Sequence, residues 1–291
     1  MSECVIGVLG GSGVYEIEGL TDVSWQAVHT PFGAPSDDLC LGVLDGVRMA
    51  FLPRHGRGHP VPPGDINYLA NIDALKRVGV TDVISVSAVG SLKEDMAPGD
   101  FVIVDQFIDR TFARTKTFFG PGLVAHVSMA DPICPALATH CRMAAEQIGV
   151  KTHWGGTYLA MEGPQFSTRA ESELYRSWGC SVIGMTNMPE AKLAREAELS
   201  YATVAMVTDY DCWHDDHDAV TVDQIIAVLL QNADNARALV KAAVPMIAAD
   251  SSLADAPAKT ALEAAVITAP EMRDPAMMRK LDAVAGRVLR R

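Results

Sequence analysis

The stretch Val5-Ile6-Gly7-Val8-Leu9-Gly10-Gly11-Ser12-Gly13 decides the fold class. Its apolar run reads as a buried strand, and the glycines that follow break it into a tight turn. The same pattern recurs downstream. Val47–Leu52 reads as a strand halted by Pro53, and Asp82–Val89 as a β-branched strand stopped by Gly90-Ser91. Between them an amphipathic helix is predicted over Asn67–Val78, with Leu69, Ile72 and Leu75 on one face and Gly79 as its stop. Further strands are predicted at Phe101–Val104, Gly156–Glu162, Ser181–Met185 and Tyr201–Val207. Helices are predicted at Pro135–Ile148, Ser167–Ser177, Pro189–Glu198 and Val222–Ala248, with Pro189 suited to a first turn. This alternation implies an α/β protein of three layers, a central mixed, largely parallel sheet flanked by helices.

The chain has 291 residues, 49% of them hydrophobic, enough for a large core and against disorder. Residues 1–250 read as one domain, with no clear linker before about residue 250. Residues 251–291, rich in Ala, Ser, Asp and Pro at first, read as a helical tail packing on that domain or on a neighbouring subunit, with its last helix at Pro275–Leu289. A net charge of −12 argues against nucleic acid and anionic membranes as partners. No run approaches the ~20 apolar residues of a membrane span, and Met1-Ser2-Glu3-Cys4 lacks the basic start of a secretory signal. The six cysteines form no Cys-x-x-Cys pair and no zinc-like spacing with histidine. A cytoplasmic protein with reduced thiols and no metal is expected.

The first glycine loop is not a dinucleotide site, because Glu16 stands where a third glycine is needed, and no P-loop Gly-Lys-Ser/Thr occurs. What remains is a set of backbone N–H groups and the Ser12 hydroxyl, which fits a small anion or an ordinary tight turn. Arg54-His55-Gly56-Arg57-Gly58-His59 concentrates basic side chains in an acidic chain. Arginine offers a planar fork matched to phosphate oxygens, and His55 adds a donor. Ser87-Ala88 sits at the carboxyl end of a strand, and Thr186 stands just before the Pro189 helix; both are places where α/β proteins bind anions. Asp209 and Asp211 alternate on an extended segment and so point the same way. Such a pair suits a metal, general acid work or recognition of an amine-bearing ring. The following His214–His217 reads as a solvated turn rather than a completing ligand set.

Taken in order, Val8–Gly13, Arg54–Arg57, Ser87–Ser91, Met161–Ser167 and Met185–Glu190 resemble the trimeric purine nucleoside phosphorylases. Thr208-Asp209-Tyr210-Asp211-Cys212-Trp213 is most similar to the branch of that family acting on methylthioadenosine. The resemblance implies phosphorolysis of S-methyl-5′-thioadenosine to adenine and 5-methylthioribose 1-phosphate, with inorganic phosphate as co-substrate and no cofactor. The alternative is a 6-oxopurine nucleoside or methylthioinosine phosphorylase. By resemblance, Ser12, Arg54, His55, Ser87, Ala88 and Thr186 hold phosphate. Met185 lies against the ribose and Phe166 against the base or ribose face, while Ser167 and Val222 line the pocket. Asp209, carrying a proton, donates to purine N7, and Asp211 accepts from the 6-amino group. The family also implies a homotrimer with shared active sites, in which His126 and the apolar Val266–Ala269 reach a neighbour's pocket. Gly184 departs from the pattern, standing where a human-type member carries asparagine.

Overall fold

The computed structural model describes residues 4–11, 13–214 and 222–290. Its eleven-stranded sheet comprises β1 (Val5–Gly10), β2 (Thr21–Gln26), β3 (Leu39–Leu44), β4 (Val47–Pro53), β5 (Asp82–Ser91), β6 (Phe101–Ile103), β7 (Gln106–Arg110), β8 (Thr152–Trp154), β9 (Thr157–Met161), β10 (Val182–Gly184) and β11 (Ser200–Tyr210). The longer helices are α1 (Tyr68–Arg77), α2 (Pro135–Gln147), α3 (Arg169–Ser177), α4 (Asn187–Glu196) and α5 (Val222–Ala249), followed by the short α6 (Pro275–Lys280) and α7 (Gly286–Leu289). The sheet is mixed and largely parallel, as the alternation predicts. β1 runs parallel to β4 and β5, β11 parallel to β5, β9 parallel to β7 and β10, and β6 parallel to β8. Antiparallel pairs join β2 to β3, β3 to β4, β10 to β5 and β11 to β6.

Several elements differ from the sequence expectation for identifiable reasons. β2 is exposed along its whole length, so Val23 and Trp25, alternating with Asp22, Ser24 and Gln26, mark no core-facing side. β3 and β4 form a hairpin through Asp45-Gly46, both at positive φ, a turn that matches strand twist. α3 begins at Arg169 because Thr168 and Glu171 close a capping box, two residues later than predicted. In α4, Met188 keeps an extended conformation, so regular helix starts at the expected Pro189. The single helix expected over Pro275–Leu289 is instead α6 and α7, separated by a turn.

Residues 251–290 are not a detached appendage. Leu253, Leu262, Leu281, Val284 and Leu289 are buried in the same core as β1, β5 and β11. Ion pairs Lys259–Asp82 at 2.9 Å and Asp282–Arg77 at 2.6 Å fasten this segment to β5 and α1. Among the described residues no helix is long and apolar enough to cross a membrane.

The sheet branches at β5. β11 follows one edge of this strand from Asp82 to Ser91. On the other edge β1 pairs only as far as Ser85, and β10 pairs only Gly90 and Ser91. Residues 86–89 therefore have no strand partner on that edge. Ala88 is exposed in a strand that is otherwise almost wholly buried. A place where neighbouring strands diverge at a carboxyl end is where open α/β sheets bind ligands.

Candidate active site

β4 delivers Arg54 and His55 to this branch point. Arg54 is 2% exposed, and its guanidinium is largely committed within the protein. Nε donates to Glu190 Oε2 at 2.7 Å, and Nη2 donates to Glu190 Oε1, Ser85 Oγ and the Leu9 carbonyl. Nη1 donates to the Val86 carbonyl at 3.1 Å, part of the unpaired edge of β5. Of five N–H donors, one on Nη1 is left for a ligand. The bidentate phosphate fork expected of Arg54 is therefore directed at Glu190 instead. Burial opposes the arginine charge, and the Glu190 carboxylate more than offsets it, raising the Arg54 pKa. Glu190 also accepts from Ser85 at 2.6 Å and from the Tyr201 hydroxyl at 2.7 Å.

His55 Nδ1 donates to the Val61 carbonyl at 2.8 Å, and its ring stacks on His59 with centroids 4.1 Å apart. Burial, reinforced by the charges of Arg54 and His59, pushes its pKa down to about 4 despite the bond to Val61. The ring is neutral, with the proton on Nδ1 and an acceptor at Nε2, rather than the donor that the sequence suggests. Stability follows from the same shift. Between pH 6.5 and 4 the unfolded chain binds a proton at this histidine that the folded chain refuses, so stability falls as pH drops through that window. Thermal unfolding at pH 7, 6, 5 and 4 should show this decline, and His55→Asn, which can still donate to Val61, should flatten it. An unchanged slope in that variant would assign the decline elsewhere.

Ser87 Oγ lies 3.3 Å from Thr186 Oγ1 and 3.1 Å from Tyr158 Oη, so β5, β9 and the start of α4 place three hydroxyls together. At the end of the same strands, a Cβ on Gly90 would stand 3.4 Å from Asp209 Oδ1 and 3.5 Å from Asp211 Cβ. The pairing of β11 with β5 slips between Val207 and Asp209, and both carboxylates gather over Gly90. The Thr208 hydroxyl lies 2.6 Å from Asp209 Oδ2 and 3.1 Å from the Val89 carbonyl. A single hydroxyl proton serves one of them, and a proton on Asp209 would satisfy both contacts. Asp211 is 7% exposed, and its buried Oδ2 has no hydrogen-bond partner among the described residues. A carboxylate oxygen in that position calls for a donor from a ligand.

The loop between β9 and α3 borders the acidic pair. The Cys212 thiol donates to the Ser167 carbonyl at 3.3 Å, and Phe166 beside it is 83% exposed. Met185 packs so closely on Gly163 that a Cβ there would meet its Sδ at 2.5 Å. Ser12 and the side chain of Val222 lie outside the described residues. His126 is not brought to this cluster. It is exposed, in a separate cavity of about 370 Å³ with Thr117, Phe119, Lys192 and Glu196, and its backbone bonds Ala265 at 2.9 Å. Ala125 bridges Val266, so the two stretches expected to reach a neighbour form one patch, flanked by exposed Val124 and Ile267.

Sequence reasoning missed Glu190, Tyr158 and Arg114. Arg114 pairs with Glu162 at 2.7 Å and donates to the Met185 and Met188 carbonyls, tying the end of β9 to the entry of α4. Glu190 stood inside a quoted motif, but its partner Arg54 is 136 residues away, and no spacing rule connects them.

The chain belongs to the phosphorylase superfamily, whose model matches residues 5–245. It is 62% identical over 291 residues to S-methyl-5′-thioadenosine phosphorylase of Rhodospirillum rubrum, covering 98% of this chain and 97% of that protein. Its identity to the protein of the same name from Cereibacter sphaeroides is 63% over 286 residues, covering 98% and 99%. Among solved structures, methylthioadenosine phosphorylase from an antarctic soil metagenomic library superposes with a TM-score of 0.93 at 49% identity, over 98% of this chain and 99% of that one. Methylthioadenosine phosphorylase from Schistosoma mansoni in complex with adenine superposes with a TM-score of 0.83 at 36% identity, over 90% and 98%.

Proposed function

We propose that this protein is a pentosyltransferase that cleaves S-methyl-5′-thioadenosine with inorganic phosphate, yielding adenine and 5-methylthioribose 1-phosphate. The observation that carries the reading is the buried Oδ2 of Asp211, unpartnered among the described residues, beside a cluster of hydroxyls at the branch of the sheet. Relatives above 60% identity with that name support the choice of nucleoside. Phosphate is held by the Ser87 and Thr186 hydroxyls, the Ala88 backbone, the remaining Arg54 N–H and Ser12, with His55 Nε2 accepting from a protonated phosphate oxygen. Under the ribose it stabilises positive charge developing there as the bond from C1′ to the purine breaks, then forms the new bond to C1′. Asp209 gives its proton to purine N7, and Asp211 accepts from the 6-amino group. Phe166, Met185, Ser167 and Val222 enclose the nucleoside. The reaction needs neither metal nor organic cofactor, and the setting is cytoplasmic.

Chromatography of products from methylthioadenosine, adenosine, methylthioinosine and inosine, with and without phosphate, tests the reading. Adenine released only with phosphate, and most efficiently from methylthioadenosine, is expected. Phosphate-independent release, or equal cleavage of the 6-oxo compounds, would overturn it. A phosphorylase for 6-oxopurines is the second reading, and the acceptor oxygen of Asp211 disfavours it.

The assembly proposed is a homotrimer in which the patch of Val124, His126, Val266 and Ile267 covers a neighbour's pocket. The bridge between Ala125 and Val266 supports this, because one contact would present both stretches together. Light scattering should return three copies of the 31.1 kDa chain. Ile267→Asp should lower both the mass and the activity. A fully active monomer would sink the shared-site arrangement.

A further inference from the structure

We propose that Tyr158 is a positioning residue for phosphate, its hydroxyl donating to Ser87 so that the Ser87 proton is turned toward the anion. The inference deepens the phosphorolytic reading above and rests on it. Tyr158 is wholly buried in β9, with Oη 3.1 Å from Ser87 Oγ, which in turn lies 3.3 Å from Thr186 Oγ1. Three hydroxyls carry three protons. If Ser87 and Thr186 each spend theirs on a phosphate oxygen, the lone pair on the inner side of Ser87 needs a donor. Tyr158 is placed to supply it. Burial raises the phenol pKa further above neutrality, so the proton stays on Tyr158. Without that donor, the Ser87 proton has competing acceptors in Thr186 Oγ1 at 3.3 Å and the Ala88 carbonyl at 3.4 Å. A donor behind the serine also polarises its O–H and strengthens the bond in front.

Gly184 is the second half of the arrangement. A Cβ at this position would stand 2.0 Å from Tyr158 Oη and 2.7 Å from its Cζ. Gly184 is not among the glycines at positive φ, so its backbone is open to other residues. It is the absence of a side chain that β10 requires here. The tyrosine hydroxyl takes the space a side chain would fill, and the departure of Gly184 from the family pattern becomes the counterpart of Tyr158. Any larger residue at 184 expels the hydroxyl from the cluster.

The test is Tyr158→Phe in the full chain, which removes one oxygen and keeps the ring. The KM for phosphate is expected to rise roughly 3- to 10-fold, the range for one internal hydrogen bond, with the KM for methylthioadenosine within twofold of wild type. The Tm without phosphate should stay near wild type, while the Tm gain on adding inorganic phosphate shrinks. Gly184→Ala should raise the phosphate KM at least as far. In a Ser87→Ala background, Tyr158→Phe should cost less than in the native chain, since part of its effect passes through that serine. An unchanged phosphate KM in Tyr158→Phe, or equal rises in both KM values with a lower phosphate-free Tm, would overturn the proposal. A wild-type enzyme that releases adenine without phosphate would instead overturn the functional reading on which it rests.

Discussion

The double substitution Asp209→Asn with Asp211→Asn is expected to abolish most activity on methylthioadenosine and to raise relative activity on methylthioinosine. A 6-aminopurine offers an acceptor at N7 and a donor at position 6, whereas a 6-oxopurine offers acceptors at both. The buried Oδ2 of Asp211 has no partner among the described residues, so a ligand amine would complete it and an oxo group would meet an acceptor. An asparagine at 211 presents an amide donor that tolerates the oxo group. At 209 it removes the proton that the contacts to Thr208 and the Val89 carbonyl accommodate. Discrimination of this kind reaches about 10⁴-fold when the wrong ligand leaves buried polar groups unpaired. Steady-state kcat/KM for both nucleosides decides the matter. A double variant that keeps its preference for the 6-amino compound would show that base recognition lies elsewhere.

Arg54→Ala is expected to act first on stability. The alanine variant leaves the Glu190 carboxylate, 1% exposed, without its arginine. Removing one partner of a buried pair typically costs about 3–5 kcal/mol, which in a domain of this size lowers Tm by on the order of 10 °C. Ser85 and Tyr201, which also bond Glu190, are then held by an uncompensated charge. Glu190→Ala should cost a similar amount, and Arg54→Met combined with Glu190→Leu should recover much of it while activity stays low. Differential scanning calorimetry separates the cases. An Arg54→Ala protein that melts with wild type and differs only in its KM for phosphate would restore the simple anion-site reading.

Much of the architecture was legible because buried strands and glycine stops carry their own periodicity. β1, β5 and β11 are buried along nearly all their length, and their apolar runs have no competing interpretation. β2 and β7 were missed because neither buries a face: the alternation of Val23 and Trp25 in β2 points to no core, the pair Phe107-Ile108 in β7 is only half-buried, and both strands are held by their neighbours. β3 could have been found, since Asp45-Gly46 between two apolar runs is a hairpin signal. In the site, residue types at strand ends were readable, and hydrogen-bond directions were not. Sequence cannot show that Arg54 faces Glu190, that His55 donates to Val61, or that Gly184 makes room for a tyrosine. Each depends on a side chain brought in by another segment.

The burial of the 251–290 segment bears on how the chain is made. The side chains of Leu253, Leu262, Leu281, Val284 and Leu289 complete a core whose first strand begins at Val5. During synthesis, β1 to β11 emerge from the ribosome well before the residues that cover them. The nascent polypeptide must therefore carry exposed apolar surface until the last turn, at Gly286–Leu289, clears the exit tunnel. The core is therefore completed only once residues 251–290 are available to cover it. A stop codon directly after Leu281 would remove Val284 and Leu289 from that core and leave the product exposed to aggregation and quality-control proteolysis.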